Sequence, residues 1–203
     1  MSEQVRVIER TANMYVEDQH APLDELRPYV AIVAAVDQQI AAVATDPRLT
    51  PEGKRARLAD VAPKAHAKID AADAGAAAIE AAIARLETEA LAPPQPDRER
   101  TADDRQAETF VWSKLAAMVP HEASLLYLDA MRRGDHQLIA QIDRCPDAFS
   151  PIRPELRAQA RELRLAASPQ KATIDQLRMR LAARQHVASQ ARRFVDDMIG
   201  AIR

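Results

Sequence analysis

Small and apolar side chains recur from Thr50 to Leu91 at Leu58, Ala62, Ala65, Ile69, Ala72, Ala76, Ile79, Ile83, Leu86 and Ala90. The steps alternate between four and three without a slip, which is a heptad seam. The spacing predicts one long helix packed against another. At 1.5 Å per residue, a helix of about 40 residues would run roughly 60 Å. Alanine at half of the seam positions allows the two axes a close approach. Thr50 suits an N-cap, Pro51 the first helical position and Glu52 the positive end of the helix dipole. Pro63 removes a backbone hydrogen bond, so a kink or a later regular start is expected there. Gly75 is expected to mark a crossing point where another backbone comes close.

The same pattern organises the rest of the chain. Val5, Ile8, Ala12, Tyr15 and Val16 share one face of a helix over residues 3–18. Leu26, Val30, Val33, Val36, Ile40 and Val43 form the stripe of a second helix from about Asp24 to Thr45, with regular structure expected from Arg27 because of Pro28. This helix and the one after Thr50 make an αα-hairpin with unequal arms. Something else must then cover the far half of the long arm. The three prolines in Ala92–Asp97 mark a boundary.

Beyond that boundary, Thr101 and Asp104 are spaced as a capping box. Helices are predicted to about Met118, from His121 to Arg133, from His136 to Arg144 and from about Pro154 to Ala167. The second of these carries Leu125, Leu128 and Met131 on one side. Gly134 suits a C′ position and Asp135 an N-cap. Phe110, Trp112, Tyr127 and Phe149 suggest the compact core of this half. Ser168 and Pro169 repeat the cap pattern before a last helix. Its seam is Ile174, Leu177, Leu181, Arg184, Ala188, Ala191, Val195, Met198 and Ile202. Arg184 interrupts that seam and is expected to reach out to water along its aliphatic stem, with a register-setting polar contact as the alternative.

Composition narrows the class. Only 3% of residues are aromatic and only four are glycine, which suits thin helical seams and not sheets. The fold class is therefore all-α: an elongated helical hairpin or coiled coil, a small helical cluster and a long C-terminal helix. The predicted regions are 1–91, 98–150 and 151–203. A single cysteine, Cys145, allows no internal disulfide and no cysteine-built zinc site. No signal-like start and no uncharged run of spanning length are read, so a soluble protein of a reducing compartment is expected, cytoplasmic or in a virion. The formal charge of −2 is uneven: −5 over 1–91, −3 over 92–149 and +6 over 150–203.

The chemistry expected is that of binding. The five histidines form no HExxH, and neither GxxxxGK[ST] nor GxGxxG occurs. No catalytic residue, cofactor, metal or small-molecule substrate is expected, and the chain is not read as an enzyme. Two surfaces remain. The first is the protein-interaction seam of Ile69, Ala72, Ala76, Ile79, Ile83, Leu86, Ile174, Leu177, Leu181, Val195, Met198 and Ile202, for a protein partner or a second copy. The second is a phosphate-tracking array of Arg157, Arg161, Arg164, Arg178, Arg184, Arg192 and Arg193, for which nucleic acid is the partner. Aromatic groups for base stacking are scarce beside it, with only Phe194 close.

Leu49–Gly53, with the Ala/Lys/Arg-rich helix it opens, and residues 130–149 (AMRRGDHQLIAQIDRCPDAF) resemble small helical proteins of unassigned role from the structural-gene region of tailed bacteriophages. Together they cover roughly 60 residues. The resemblance implies a virion or assembly component and brings no catalytic residues. The expected function is thus a structural or assembly protein that docks onto a larger complex, with a nucleic-acid-binding or packaging accessory as the alternative.

Overall fold

The computed structural model describes residues 2–92, 101–146 and 149–200. Among them are ten helices and no strand, so the chain is all-α: α1 Glu3–Glu17, α2 Leu23–Thr45, α3 Pro51–Ala59, α4 Val61–Asp73, α5 Gly75–Leu91, α6 Ala102–Ala117, α7 Pro120–Arg133, α8 His136–Asp143, α9 Pro154–Ala166 and α10 Lys171–Gly200. Local chemistry sets most of the ends. Thr50 Oγ1 accepts from the Gly53 amide at 3.1 Å, with Pro51 in the first turn. Thr101 and Asp104 close a reciprocal capping box at 2.8 and 3.3 Å. Gly134 ends α7 in the left-handed region at φ 68°, where a Cβ would be strained. Asp135 then caps α8 by accepting from the Leu138 amide at 3.0 Å.

The long helix expected after Thr50 is three helices. α3 ends at Ala59, four residues before Pro63, whose ring clashes with the carbonyl there. A second break falls at Ala74, immediately before Gly75. Each break is a single residue, so the phase of the seam survives. Leu58, Ala65, Ile69, Ala76, Ile79 and Ile83 are all buried, although no continuous coiled coil is formed. Two other expected starts also shift. α2 begins at Leu23 with Pro28 inside it, and α10 begins at Lys171, after Ser168 Oγ accepts from the Gln170 amide.

The chain divides into two units. Unit 1 is Met1–Ala84 with Thr173–Arg203, and unit 2 is Arg85–Ala172. The separate tail expected over 151–203 is therefore corrected. Its last helix shares a core with α1–α4, because Ala183, Val187, Ala188, Ala191 and Val195 are buried with Ile8, Leu26, Val33 and Ile69. The boundary expected at Ala92–Asp97 lies, apart from Ala92, outside the described residues; the division between the units falls within α5.

α2 contains no uncharged run of spanning length, since Asp37 interrupts it. By length and composition it is a weak spanning candidate. In this fold Leu26, Tyr29, Val33 and Val36 on its inner face are core residues.

Unit 2 has a smaller core around Leu115, Tyr127, Ile139 and Ile142. Of the four aromatics expected there, Tyr127 is in that core and Trp112 packs against it, while Phe110 is 60% exposed and Phe149 is exposed as well. α7 is turned relative to the sequence reading. Ala123, Tyr127 and Ala130 face inward, while Leu125 is 53% exposed. Trp112 anchors α6 to α8 by donating from Nε1 to the Gln141 carbonyl at 2.8 Å.

Candidate functional site

Both predicted seams are used within the chain. Ile69, Ala72, Val195 and Met198 belong to the unit 1 core or pack against it, and Ile174, Ala76, Ile79 and Ile83 are buried. Leu86, Leu177 and Leu181 are half-buried. Ile202 lies outside the described residues. The face proposed for a partner thus has little free apolar area.

The predicted arginine array is split between the units. In unit 1, Arg184 is only 7% exposed, which corrects the expectation that it reaches water. Its Nη2 donates to the Ala72 carbonyl at 2.9 Å, and its Nη1 lies 3.5 Å from Glu25 Oε2. Arg180 also donates to Glu25, from Nε at 2.8 Å. Ala72 stands at the frayed C-terminal end of α4, where a carbonyl has lost its helical donor and a cation is favoured. Gly75 completes the arrangement, because a Cβ there would stand 3.0 Å from Arg184 Nη2. Gly75 does mark a close approach, by a guanidinium and not by a backbone. Arg192 pairs with Asp70 at 2.9 Å and Asp73 at 3.8 Å, and Arg193 pairs with Asp197 one turn on. Arg178 lies half-buried in α10.

In unit 2, Arg157, Arg161 and Arg164 share one face of α9, as their spacing required. They do not form an open stripe. Together with Arg144 they line a cleft of about 640 Å³, whose wall also includes Leu91, Ala140, Ala158, Tyr127 and Asp143. Arg164 bridges Asp143 Oδ2 and the Leu91 carbonyl, both at 2.5 Å. The Tyr127 hydroxyl donates to Asp143 Oδ1 at 2.6 Å. Arg144 donates from Nε to Glu108 at 2.6 Å, and Arg161 from Nη2 to Glu87 at 2.6 Å. Arg144, Tyr127 and Asp143 were not singled out in the sequence. The run of α9 arginines signals the cleft, but nothing local pairs it with α8.

The two buried phenols are held neutral. Burial, reinforced by the bond to Asp143, raises the Tyr127 pKa well above the ordinary 10.0. Burial and the bond to Asp73 at 3.0 Å raise that of Tyr29, with Arg184 opposing the shift. A folded-state value above the unfolded one gives stability that is whole below about pH 10 and is lost as pH rises toward the folded values. An absorbance titration at 295 nm should therefore show both phenols resisting ionisation through pH 10 and releasing their protons as the helices melt. Ionisation of both near pH 10 with helical circular dichroism intact would contradict this.

Among the described residues no group of three or more histidine, cysteine or acidic side chains could hold a metal ion. Unit 2 also exposes large apolar side chains. Leu125 and Leu128, one turn apart on α7, are exposed, as are Phe110, Val119, Phe149 and Leu163. No protein-family model, curated protein or solved structure matches the chain.

Proposed function

We propose that this chain is a non-catalytic docking or assembly component of a larger protein complex, and that it docks through unit 2. The observation that carries the reading is the outer face of α7. His121, Leu125, Leu128 and Arg132 are all exposed and step four, three and four, a short heptad stripe that takes a helix of another subunit. The long seams are less suited to that role, because most of their described residues are buried within the chain. The resemblance to phage structural-gene products makes a virion or an assembly intermediate the complex to test first. The nucleic-acid alternative loses weight, because the arginines it needs are divided between the two units, and Arg184 is buried on Glu25 and Ala72.

A photo-crosslinking residue in place of Leu125 should give one discrete adduct in the native cell, and the same probe at exposed Arg57 should give none. Leu125→Glu combined with Leu128→Glu should abolish co-purification of the crosslinked subunit. Exposed positions change stability by only about 0.5 kcal/mol, so the variant should stay folded. A smear of adducts, or co-purification that survives the double variant, removes α7 as the docking face.

A further inference from the structure

We infer that the arginine-lined cleft of unit 2 is a binding site for a multiply charged oxyanion, of the phosphate or polycarboxylate class. The inference does not depend on the α7 docking face. It rests on how charge is layered in the cleft wall. Four arginines line the wall, Arg144, Arg157, Arg161 and Arg164, and among the described residues Asp143 is the one acidic residue that does.

The other two carboxylates stand behind their arginines. The Glu108 side chain is 8% exposed where its partner Arg144 is 41% exposed, and that of Glu87 is 13% exposed where Arg161 is 53% exposed. In each pair the acid is withdrawn and the base faces solvent. A buried carboxylate that takes one N–H orients the whole planar fork, which carries five donors. The bond to Glu108 spends Nε of Arg144, and the bond to Glu87 spends Nη2 of Arg161. The remaining edges of these forks are suited to the paired oxygens of a phosphate or carboxylate.

Arg164 differs in role. It is fixed at both ends, by Asp143 and by the Leu91 carbonyl, and it holds α9 against α8 and the end of α5. It sets the shape of the wall and is left out of the test. The volume of about 640 Å³ lies within the ordinary range of small-molecule clefts. Leu91, Ala140 and Ala158 add apolar wall between the arginines.

Calorimetric titration of the full chain with pyrophosphate and, separately, with citrate tests the inference. A saturable one-site isotherm is expected for at least one of them. Arg144→Gln and Arg161→Gln should each weaken it about tenfold, the loss of a charge-assisted bond. Arg161→Lys keeps the charge without the fork and should fall between wild type and glutamine. Arg133→Gln, which breaks an exposed pair with Asp129 within α7, should leave binding unchanged. Trp112 fluorescence checks that unit 2 remains folded in each variant. Tighter pyrophosphate binding names phosphate as the source, and tighter citrate binding names carboxylate. No saturable heat with either anion to about 10 mM, or an equal loss in Arg133→Gln, overturns the site.

Discussion

Arg184→Ala should lower the free energy of unfolding by about 3 kcal/mol, read by circular dichroism in urea. Three losses combine. The Ala72 carbonyl at the end of α4 gives up its donor. Glu25 gives up one of two cationic partners and keeps Arg180. The aliphatic stem, buried on the seam face of α10, leaves a cavity. Arg184→Met restores the stem and should recover part of the loss, which separates packing from charge. Gly75 supplies the decisive control. In an ordinary helix, glycine to alanine gains about 1 kcal/mol. Here the new Cβ meets the guanidinium at 3.0 Å, so Gly75→Ala should be neutral or destabilising in the wild type. In an Arg184→Met background it should turn stabilising. Such a sign change in a double-mutant cycle is the signature of direct contact. Two independent, additive effects would show that the guanidinium does not occupy the space beside Gly75.

Leu115→Ala should cost about 2 to 5 kcal/mol in unit 2. Leu115 is fully buried in a core of few members, where Ala123, Ala130 and Ala160 leave little material to collapse into the gap. The lone tryptophan makes the measurement local, since Trp112 lies on the same helix and is bonded to the Gln141 carbonyl. Its fluorescence midpoint in urea should fall sharply. Phe110→Ala, one of the exposed side chains of the same helix, should leave that midpoint almost unchanged. Equal effects from both substitutions would mean that α6 does not bury the face described here.

The contrast between these two cores shows what kind of information a sequence carries. The caps at Thr50, Thr101, Gly134 and Asp135 were legible because each depends on hydrogen bonds and backbone angles within four residues. The phase of the seam from Leu58 to Ile83 was legible because a single-residue break barely rotates a helix. The break at Ala59 was half legible: Pro63 announced a disturbance, but its ring acts on a carbonyl four residues back. The orientation of α7 was not legible. It carries two overlapping stripes, one of leucines and one of Ala123, Tyr127 and Ala130. Transfer free energy favours burying the leucines. The phenol of Tyr127 instead finds Asp143 on α8, and two small alanines let neighbouring helices approach. In the same way, the α9 arginines were visible as a face, while Arg144 joined them only through the fold.

By itself the sequence determined that this protein is all-α, where most of its helices begin and end, and which face of α3–α5 is buried. Those properties follow from short-range geometry and periodicity. Only the tertiary structure decided that α10 returns to share the core of α1–α4, that Arg184 is buried against Gly75 and Ala72, and that four arginines line one cleft. Each of these depends on groups far apart in the chain. A seam of small side chains specifies closeness without specifying which helix comes close, and a lone arginine in it is equally suited to water or to an unpaired carbonyl until a partner stands there.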